Sequence, residues 1–330
     1  MENISVTLDE IEQATSRALQ NHGALPWIAE EVAKAVRVAE ATGNIICGLY
    51  YLDSYCKQLK SGRVDGHAKP EVSQPKPASV RVDAHHGFAQ AAFSKGIDIA
   101  LEIADKNGIS ALAICHSHTC TSMGYFTSQI AEAGFIGIGM TNAPACVSPP
   151  GGNKALLGTN PIAMSVPSHE GGVAFQFDQS TSAVAIGKIR MAAASGDDIP
   201  LGWAVDKDGH PTKNPNEALQ GSLVSSGGYK GYGFGLMAEI LASALTGSVA
   251  SIDAAPLKIT EGVPHNLGQF YFLIDPVNFC GDIFWDRIDA LKQAIKEQPN
   301  TRLPGTQRIT PDSVVLDKNL WQQVTKLAST

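Results

Sequence analysis

Four short segments concentrate the side chains and backbone features suited to small anionic ligands. HSHTCTSMGYF (residues 116–126) directly follows the apolar run ISALAIC. A strand that passes through a small polar turn into a helix is where α/β proteins place ligand contacts. FDQSTS (177–182) sets an acid beside hydroxyl and amide side chains after a strand. That pattern serves equally as a helix cap and as a polar lining for a ribose or amide group. PPGGNKALLGTNP (149–161) is too rich in glycine and proline for a regular element. It reads either as a tight connection or as a loop whose free amides and Thr159 hydroxyl hold a small anion. GGYKGYGFG (227–235) opens an alanine-rich helix. Its glycines mean close helix packing, or amides at a helix N-terminus with Lys230 reaching a phosphate. The strand–GxGxxG–helix fingerprint is absent. His116 and His118 alternate along a strand-like segment with no obvious third ligand, so no metal site is expected.

The elements that must position these segments follow from periodicity. Thr7 and Glu10 have capping-box spacing, and Leu8, Ile11, Ala14 and Ala18 follow at helical intervals up to Asn21-His22-Gly23. A second helix is expected from Pro26 to about Thr42, and a third over roughly 46–60, ending at Gly62. KPEVSQPKP (69–77) reads as a linker. Strands are expected at SVRVDA, ISALAIC, FIGIGMT, GTNPIAMSVP, GGVAFQFD and GQFYFLIDP. Helices are expected over 87–106, 123–133, 230–247 (largely buried), about 282–296 and 311–328. Alternation of this kind argues α/β with a mixed sheet.

Composition narrows the function classes. The chain has 330 residues, a net charge of -7 and a pI near 5.7. A mildly acidic protein does not neutralise phosphate backbones, so nucleic acid is not an expected partner. Cysteines stand at 47, 56, 115, 120, 146 and 280 without CxxC spacing, and are expected to be reduced thiols. The N-terminus lacks a basic stretch followed by an apolar run, and no stretch has the length of a membrane span. A cytoplasmic location, with no membrane partner, is expected.

Together the segments resemble one family. They are RVDAHHGFAQ, the HSHTCTSMGYF turn, TNAPACVSPPGGNKALLGTNPIAMSVP, FDQSTSAVAIGKI, IPLGWAVDKDGHPTKNP, GGYKGYGFGLMAEILASALTG, LGQFYFLIDP and the C-terminal LPGTQRI. The family is that of the malate/L-lactate dehydrogenases distinct from the Rossmann-fold enzymes. It also contains sulfolactate, ureidoglycolate and diketogulonate oxidoreductases and the Δ1-pyrroline-2-carboxylate/Δ1-piperideine-2-carboxylate reductases, the type this chain resembles most. The resemblance implies a non-Rossmann α/β fold with a mixed sheet and a helical layer formed by both termini. Residues 1–75 with 282–330 would make a helical dimerisation layer of a homodimer, and 76–281 the cofactor- and substrate-binding region. It implies NADPH, with NADH as the alternative, held by Thr119, Cys120, Thr121, Ser122 and Met123, by Asp178, Gln179 and Ser180, by Tyr229 and Lys230, and by the C-terminal Leu303–Ile309 with Pro304, Gly305 and Arg308. Thr159 matches a substrate-contacting threonine; Asn160 and His118 are further substrate candidates, and His265 stands in reserve.

One segment departs from the family. Where most members carry Ser-His-Gly-x-x-Arg, this chain has Ile46-Cys47-Gly48-Leu49-Tyr50-Tyr51. At 186 and 188, where the piperideine-carboxylate reductases carry His and Asp, stand Ile186 and Lys188. The resemblance assigns the missing His to proton supply and the missing Arg to the substrate carboxylate. Hydride addition to a ketone makes a basic alkoxide, whose protonation by a positioned acid contributes roughly 10²–10⁴-fold in rate. A cyclic ketimine already carries its proton near neutral pH, and hydride addition to the iminium gives a neutral amine. The expected reaction is therefore reduction of a small cyclic imino acid: Δ1-pyrroline-2-carboxylate to L-proline, with Δ1-piperideine-2-carboxylate as second substrate. Tyr51 and Lys188 are candidates for orienting the substrate, and Cys47 either donates a proton or leaves room for the ring. The alternatives are a 2-hydroxy-acid dehydrogenase (malate, lactate or sulfolactate) and an inactive cofactor-binding homologue.

Overall fold

Thr7 and Glu10 form the capping box that their spacing predicts in a computed structural model, which describes residues 2–305 and 311–329. The Thr7 hydroxyl accepts from the Glu10 amide at 3.2 Å, and the Glu10 carboxylate accepts from the Thr7 amide at 2.9 Å. This box starts α1 (Leu8–Asn21), preceded by β1 (Asn3–Thr7). Pro26 opens α2 (Pro26–Ala41) from the first-turn position, where its missing N–H costs nothing.

The expected helix over 46–60 is broken. Single turns at Ile45–Cys47 and Leu49–Tyr51 precede α3 (Leu52–Ser61). The break has a cause in α2. Buried Glu40 accepts the Leu49 amide at 2.7 Å, so that amide is lost to a regular helix. Gly48 is pressed against the same carboxylate; a Cβ there would lie 2.1 Å from Glu40 Oε1.

The expected linker over 69–77 is a strand, β2 (Glu71–Lys76), hairpinned to β3 (Ser79–Asp83). Pro75 sits at a register irregularity of this edge strand, where a missing N–H breaks no ladder bond. The expected C-terminal helix over 311–328 is likewise divided into β11 (Ser313–Asp317) and α11 (Lys318–Ser329). Val314 and Val315 favour extended backbone, β11 pairs antiparallel with β1, and the Asp317 carboxylate accepts the amides of Asn319 and Leu320.

Among the described residues a seven-stranded sheet runs in the order β2-β3-β4-β10-β5-β6-β7. Its other members are β4 (Ile109–Ser117), β5 (Ile136–Thr141), β6 (Ile162–Pro167), β7 (Val173–Gln179) and β10 (Leu267–Ile274). Only β3 and β4 are parallel in it, joined through α4 (Ala89–Asn107). α4 and α5 (Met123–Glu132) cover one face, Phe93 and Phe126 packing on Tyr271 of β10 with Ile130 in the same cluster. On the other face, α8 (Tyr229–Glu239) continues into a π turn at Ile240–Ala244. Gly268 of β10 lies flush on that turn, since a Cβ would come 1.8 Å from the Ala242 carbonyl.

Two further cores flank the sheet. One joins α1, α2, α3 and the Phe88 end of α4 to Leu316 and Val324 of the C-terminal segment. The other gathers Val147, Leu157, Ile189 and Leu223 around α6 (Ile186–Ser195), α7 (Pro215–Gln220) and the short pair β8 (Ala204–Val205) and β9 (Ser222–Leu223). α9 (Pro276–Cys280) and α10 (Ile283–Lys296) follow β10, and α10 buries no residue within the chain. The expectation that 230–247 is largely buried also fails: Phe234, Ile240 and Leu245 are more than half exposed. No helix among the described residues is long and apolar enough to cross a membrane.

Candidate active site

Asp178, at the end of β7, organises the turn between β4 and α5. Its carboxylate accepts from the Ser122 hydroxyl at 3.0 Å and from the Gly124 amide at 2.8 Å. Thr121 is held at a positive φ of 62°, a conformation unusual for a β-branched residue. Thr119 is buried and its amide donates to His265 Nδ1 at 3.4 Å. Cys120 and Met123 are buried against each other, and burial pushes the Cys120 thiol up to about 12. They contribute packing, while Thr121 and Ser122 remain accessible in part. The C-terminal segment reaches the same place: the Gln176 amide donates to the Pro304 carbonyl at 3.1 Å. Gly305, at φ 78°, fits so closely that a Cβ would meet the Gln176 carbonyl at 2.8 Å. Arg308 lies outside the described residues.

The broken helix start brings Cys47 and Tyr51 to this turn. Burial, and then the charge of Asp178, pushes the half-buried Cys47 thiol up to about 12; an interaction with Asn44 opposes them. Tyr51 stacks on Tyr55 with ring centroids 6.0 Å apart, and Tyr50 meets it edge-on at 5.3 Å. Burial raises the Tyr51 phenol, with smaller contributions from Cys47 and Tyr50, while the guanidinium of Arg190 pulls it down. Arg190 is therefore the α6 cation whose charge reaches Tyr51. Lys188 and Arg190 are both exposed, and two residues along a helix are separated by about 200° of rotation. Sequence reasoning missed Arg190, which lies just past FDQSTSAVAIGKI, and also Asn44. Only the phase of α6, set by buried Ile189, distinguishes the two cations.

A cleft of about 390 Å³ opens between the end of β7 and the start of α8, lined by Phe177, Gln179, Ser180, Thr181, Lys230 and Phe234 among others. Gly227 and Gly228 both have φ 66°, and the chain turns there into α8. Tyr229 is exposed at the first position of that helix. Hydroxyls, an ammonium, first-turn amides and flat aromatic faces form a donor set that fits a dinucleotide's ribose, phosphate and ring groups. Beside the cleft, the Thr159 carbonyl accepts from the Thr181 amide at 2.9 Å, and Thr159 is half-buried. Asn160 is different. It is fully buried at φ 35°, and its side chain bonds Ala143, Gly235, Glu239 and Ser251. It ties the loop to α8 and has no amide group left for a substrate.

The two histidines of the turn part company. His118 is buried, and its Nε2 lies 2.8 Å from Gln58 Oε1. It stacks on His265 at 4.2 Å, and burial and then His265 hold it well below the usual imidazole range. His265 falls to about 3, mainly through burial. His118 is thus a neutral core residue and not a surface for substrate. His116 turns to Asp83, with Nδ1 2.9 Å from Oδ2. Asp83, Cys115 and His116 bring ligand-type atoms together, a grouping the sequence did not disclose. That carboxylate also accepts the His85 amide and pairs with Arg81, which occupies it with protein donors.

The sequence profile described as malate/L-lactate dehydrogenase matches residues 6–317. The chain belongs to that family of oxidoreductases. Its particular relatives divide by substrate. The (2R)-3-sulfolactate dehydrogenase (NADP(+)) of Chromohalobacter salexigens is 38% identical over 92% of this chain and 90% of that protein. The Δ1-pyrroline-2-carboxylate reductase of Ancylobacter novellus is 37% identical over 85% of this chain and 83% of that protein. The solved Δ1-piperideine-2-carboxylate reductase of Pseudomonas syringae superposes with a TM-score of 0.91 at 32% identity, covering 98% of this chain and 99% of that one.

Proposed function

We propose that this oxidoreductase reduces a cyclic ketimine carboxylate, Δ1-pyrroline-2-carboxylate to L-proline, and accepts Δ1-piperideine-2-carboxylate as second substrate. The observation that carries the reading is Cys47. Where the family pattern sets an acid, this chain has a half-buried thiol pushed up to about 12. Such a group keeps its proton through the neutral range and is a weak donor to a developing alkoxide. A protonated imine needs no donor, because its nitrogen becomes a neutral amine as the carbon is reduced. Relatives named pyrroline-2-carboxylate reductase, such as that of A. novellus, support the same reading.

NADPH is the proposed hydride source, after the NADP(+) named for the sulfolactate relative, with NADH as the alternative. Ser180, Lys230 and the α8 amides would hold its polar groups, and the turn Thr119–Met123, Asp178, Gln179, Tyr229, Pro304 and Gly305 would border it. Asp178 keeps the turn in place through Ser122 and Gly124. Tyr51 orients the ring, Thr159 bonds the substrate, and Arg190, in preference to Lys188, draws the carboxylate toward Tyr51. Cys47 leaves space for the ring. We further propose a cytoplasmic homodimer with residues 1–75 and 282–330 as its helical dimerisation layer, the second copy also covering the apolar face that α8 exposes.

The sulfolactate relative favours a second reading, a 2-hydroxy-acid dehydrogenase. NADPH oxidation measured with pyrroline-2-carboxylate, pyruvate, oxaloacetate and sulfopyruvate separates the two. Faster turnover of the imine is expected; a clear preference for any of the keto acids would overturn the ketimine reading.

A further inference from the structure

Lys258 lies in the segment that leads from the π turn to β10, outside every stretch that carries the family resemblance. That segment is strapped to α3 and to Arg63, just past its end, by six hydrogen bonds. Gln58 Nε2 donates to the carbonyls of Leu257 at 2.8 Å and Ile259 at 2.7 Å, the two residues that flank Lys258. Ser61 donates to the Thr260 carbonyl at 2.5 Å. Arg63, 1% exposed, donates to Val263 and Pro256 at 3.0 Å each and to Ile259 as well. A buried guanidinium satisfied by carbonyls forgoes much of its hydration, so this fixation is costly for a surface loop.

His118 completes the strap. A neutral imidazole donating from Nε2 to Gln58 Oε1 fixes which end of that amide faces the loop, so the NH₂ group meets the two carbonyls. His118 is in this sense a positioning residue that acts through Gln58.

The strap presents Lys258 to the aromatic pair of the broken helix start. Its ammonium lies 3.6 Å from the Tyr50 ring centroid and 5.6 Å from that of Tyr51. An exposed lysine ordinarily extends into water; this one is held over Tyr50, next to Tyr51, which stands where the family pattern has its carboxylate-binding arginine. We propose that Lys258 and Tyr51 form an anion subsite that binds the substrate's carboxylate, with Lys258 delivered from the 256–263 loop beside the charge that Arg190 lends from α6, in place of an arginine at the helix start. A small carboxylate or sulfonate is the class of ligand it takes. The assignment to an imino acid rests on the ketimine reading, whereas the anion subsite does not.

The test uses the full-length Lys258→Ala and Lys258→Arg variants with pyrroline-2-carboxylate and with 1-pyrroline, the same imine without the carboxylate. Binding of pyrrole-2-carboxylate to the NADP⁺-saturated protein is measured alongside. Lys258→Ala is expected to raise KM for the carboxylate and weaken the analogue by roughly ten- to a hundredfold, the size of a lost charge-assisted bond. With kcat little changed, 1-pyrroline unaffected and the arginine variant near wild type, the subsite stands. An unchanged KM, or equal losses with both imines, overturns it. If wild type turns over neither imine, the ketimine reading fails by itself. The same variants are then compared on the keto acid that is reduced and on analogue binding, where loss in Lys258→Ala keeps the subsite and no loss removes it.

Discussion

A thiol held near 12 is a poor nucleophile and a poor acid at neutral pH, which reduces Cys47 to its shape. Cys47→Ala is therefore expected to keep kcat/KM for the imine within about tenfold of wild type, well short of the cost of losing a general acid. The rate should also show no inflection from this thiol across the neutral range, because a raised thiol pKa keeps the proton on sulfur until pH approaches 12. A loss beyond about a hundredfold would make the sulfur a proton donor after all. Two cations compete for one role on α6. Arg190→Ala is expected to raise KM for the carboxylate by about three- to tenfold, a half-exposed charge pair being screened by water, and Lys188→Ala to leave it unchanged. The reverse pattern in steady-state kinetics would restore Lys188. The departure at Cys47 and Tyr51 was legible because a motif fixes which residue should stand at each position. The choice between Lys188 and Arg190 was not, because it depends on how α6 is rotated, and Ile189 sets that only once the third core is packed. His118 and Asn160 look like ligand groups in a polar turn, yet each is used up by partners distant in sequence, Gln58 and Glu239.

The short turns that carry Cys47 and Tyr51 depend on Glu40 and Gly48. Gly48→Ala puts a methyl 2.1 Å from Glu40 Oε1, closer than any contact tolerates, so the carboxylate or the turn must move. The expected cost is about 1–3 kcal/mol in chemical denaturation, with a fall in kcat/KM because both site residues shift. Unchanged stability would mean the turn is looser than the buried contact implies. Glu40 itself is raised above its ordinary 4.5, since burial outweighs the bond from Leu49. A raised carboxyl binds its proton more tightly folded than unfolded, so its contribution is fully present below 4.5 and is lost as pH rises through the raised value. Glu40→Gln keeps an acceptor for Leu49 without the charge. Wild type should lose stability relative to this variant as pH climbs from about 4.5 toward neutrality, measured by denaturation at a series of pH values. A constant difference would remove burial as the cause. Elements with strong periodicity or caps, α1, α2, α4 and β4, were legible from sequence. Those that formed against local expectation needed a distant partner: β11 requires β1, β2 requires β3, and the break at Gly48 requires a carboxylate from the preceding helix.

At the scale of the whole molecule, the alanine-rich helix after the glycine segment tests the assembly. Its sequence reads as core, yet Leu236 of α8, Ile240 of the π turn and Leu245 just past it are exposed. Contiguous apolar exposure of this kind is what an interface is expected to cover. The small residues on its other side are committed to the sheet, where Gly268 meets Ala242 directly, so the helix cannot turn inward to hide the larger ones. A second copy of the chain solves this if it buries the area usual for a specific interface, about 1,200–2,000 Å² in total. Light scattering on the purified protein at micromolar concentration should give twice the chain mass. The double variant Leu236→Glu, Ile240→Glu places four like charges across a two-fold contact, two from each copy, and should give the single-chain mass with its helix content retained. The site would feel this loss. α8 begins at the cleft that Lys230 and Phe234 line, so a dimer that clamps the rest of the helix also fixes the cleft wall, and the monomeric variant should bind NADPH more weakly by about tenfold or more. A wild-type protein that runs as a monomer, or a monomeric variant with full NADPH affinity, would separate the exposed face from the function of the site.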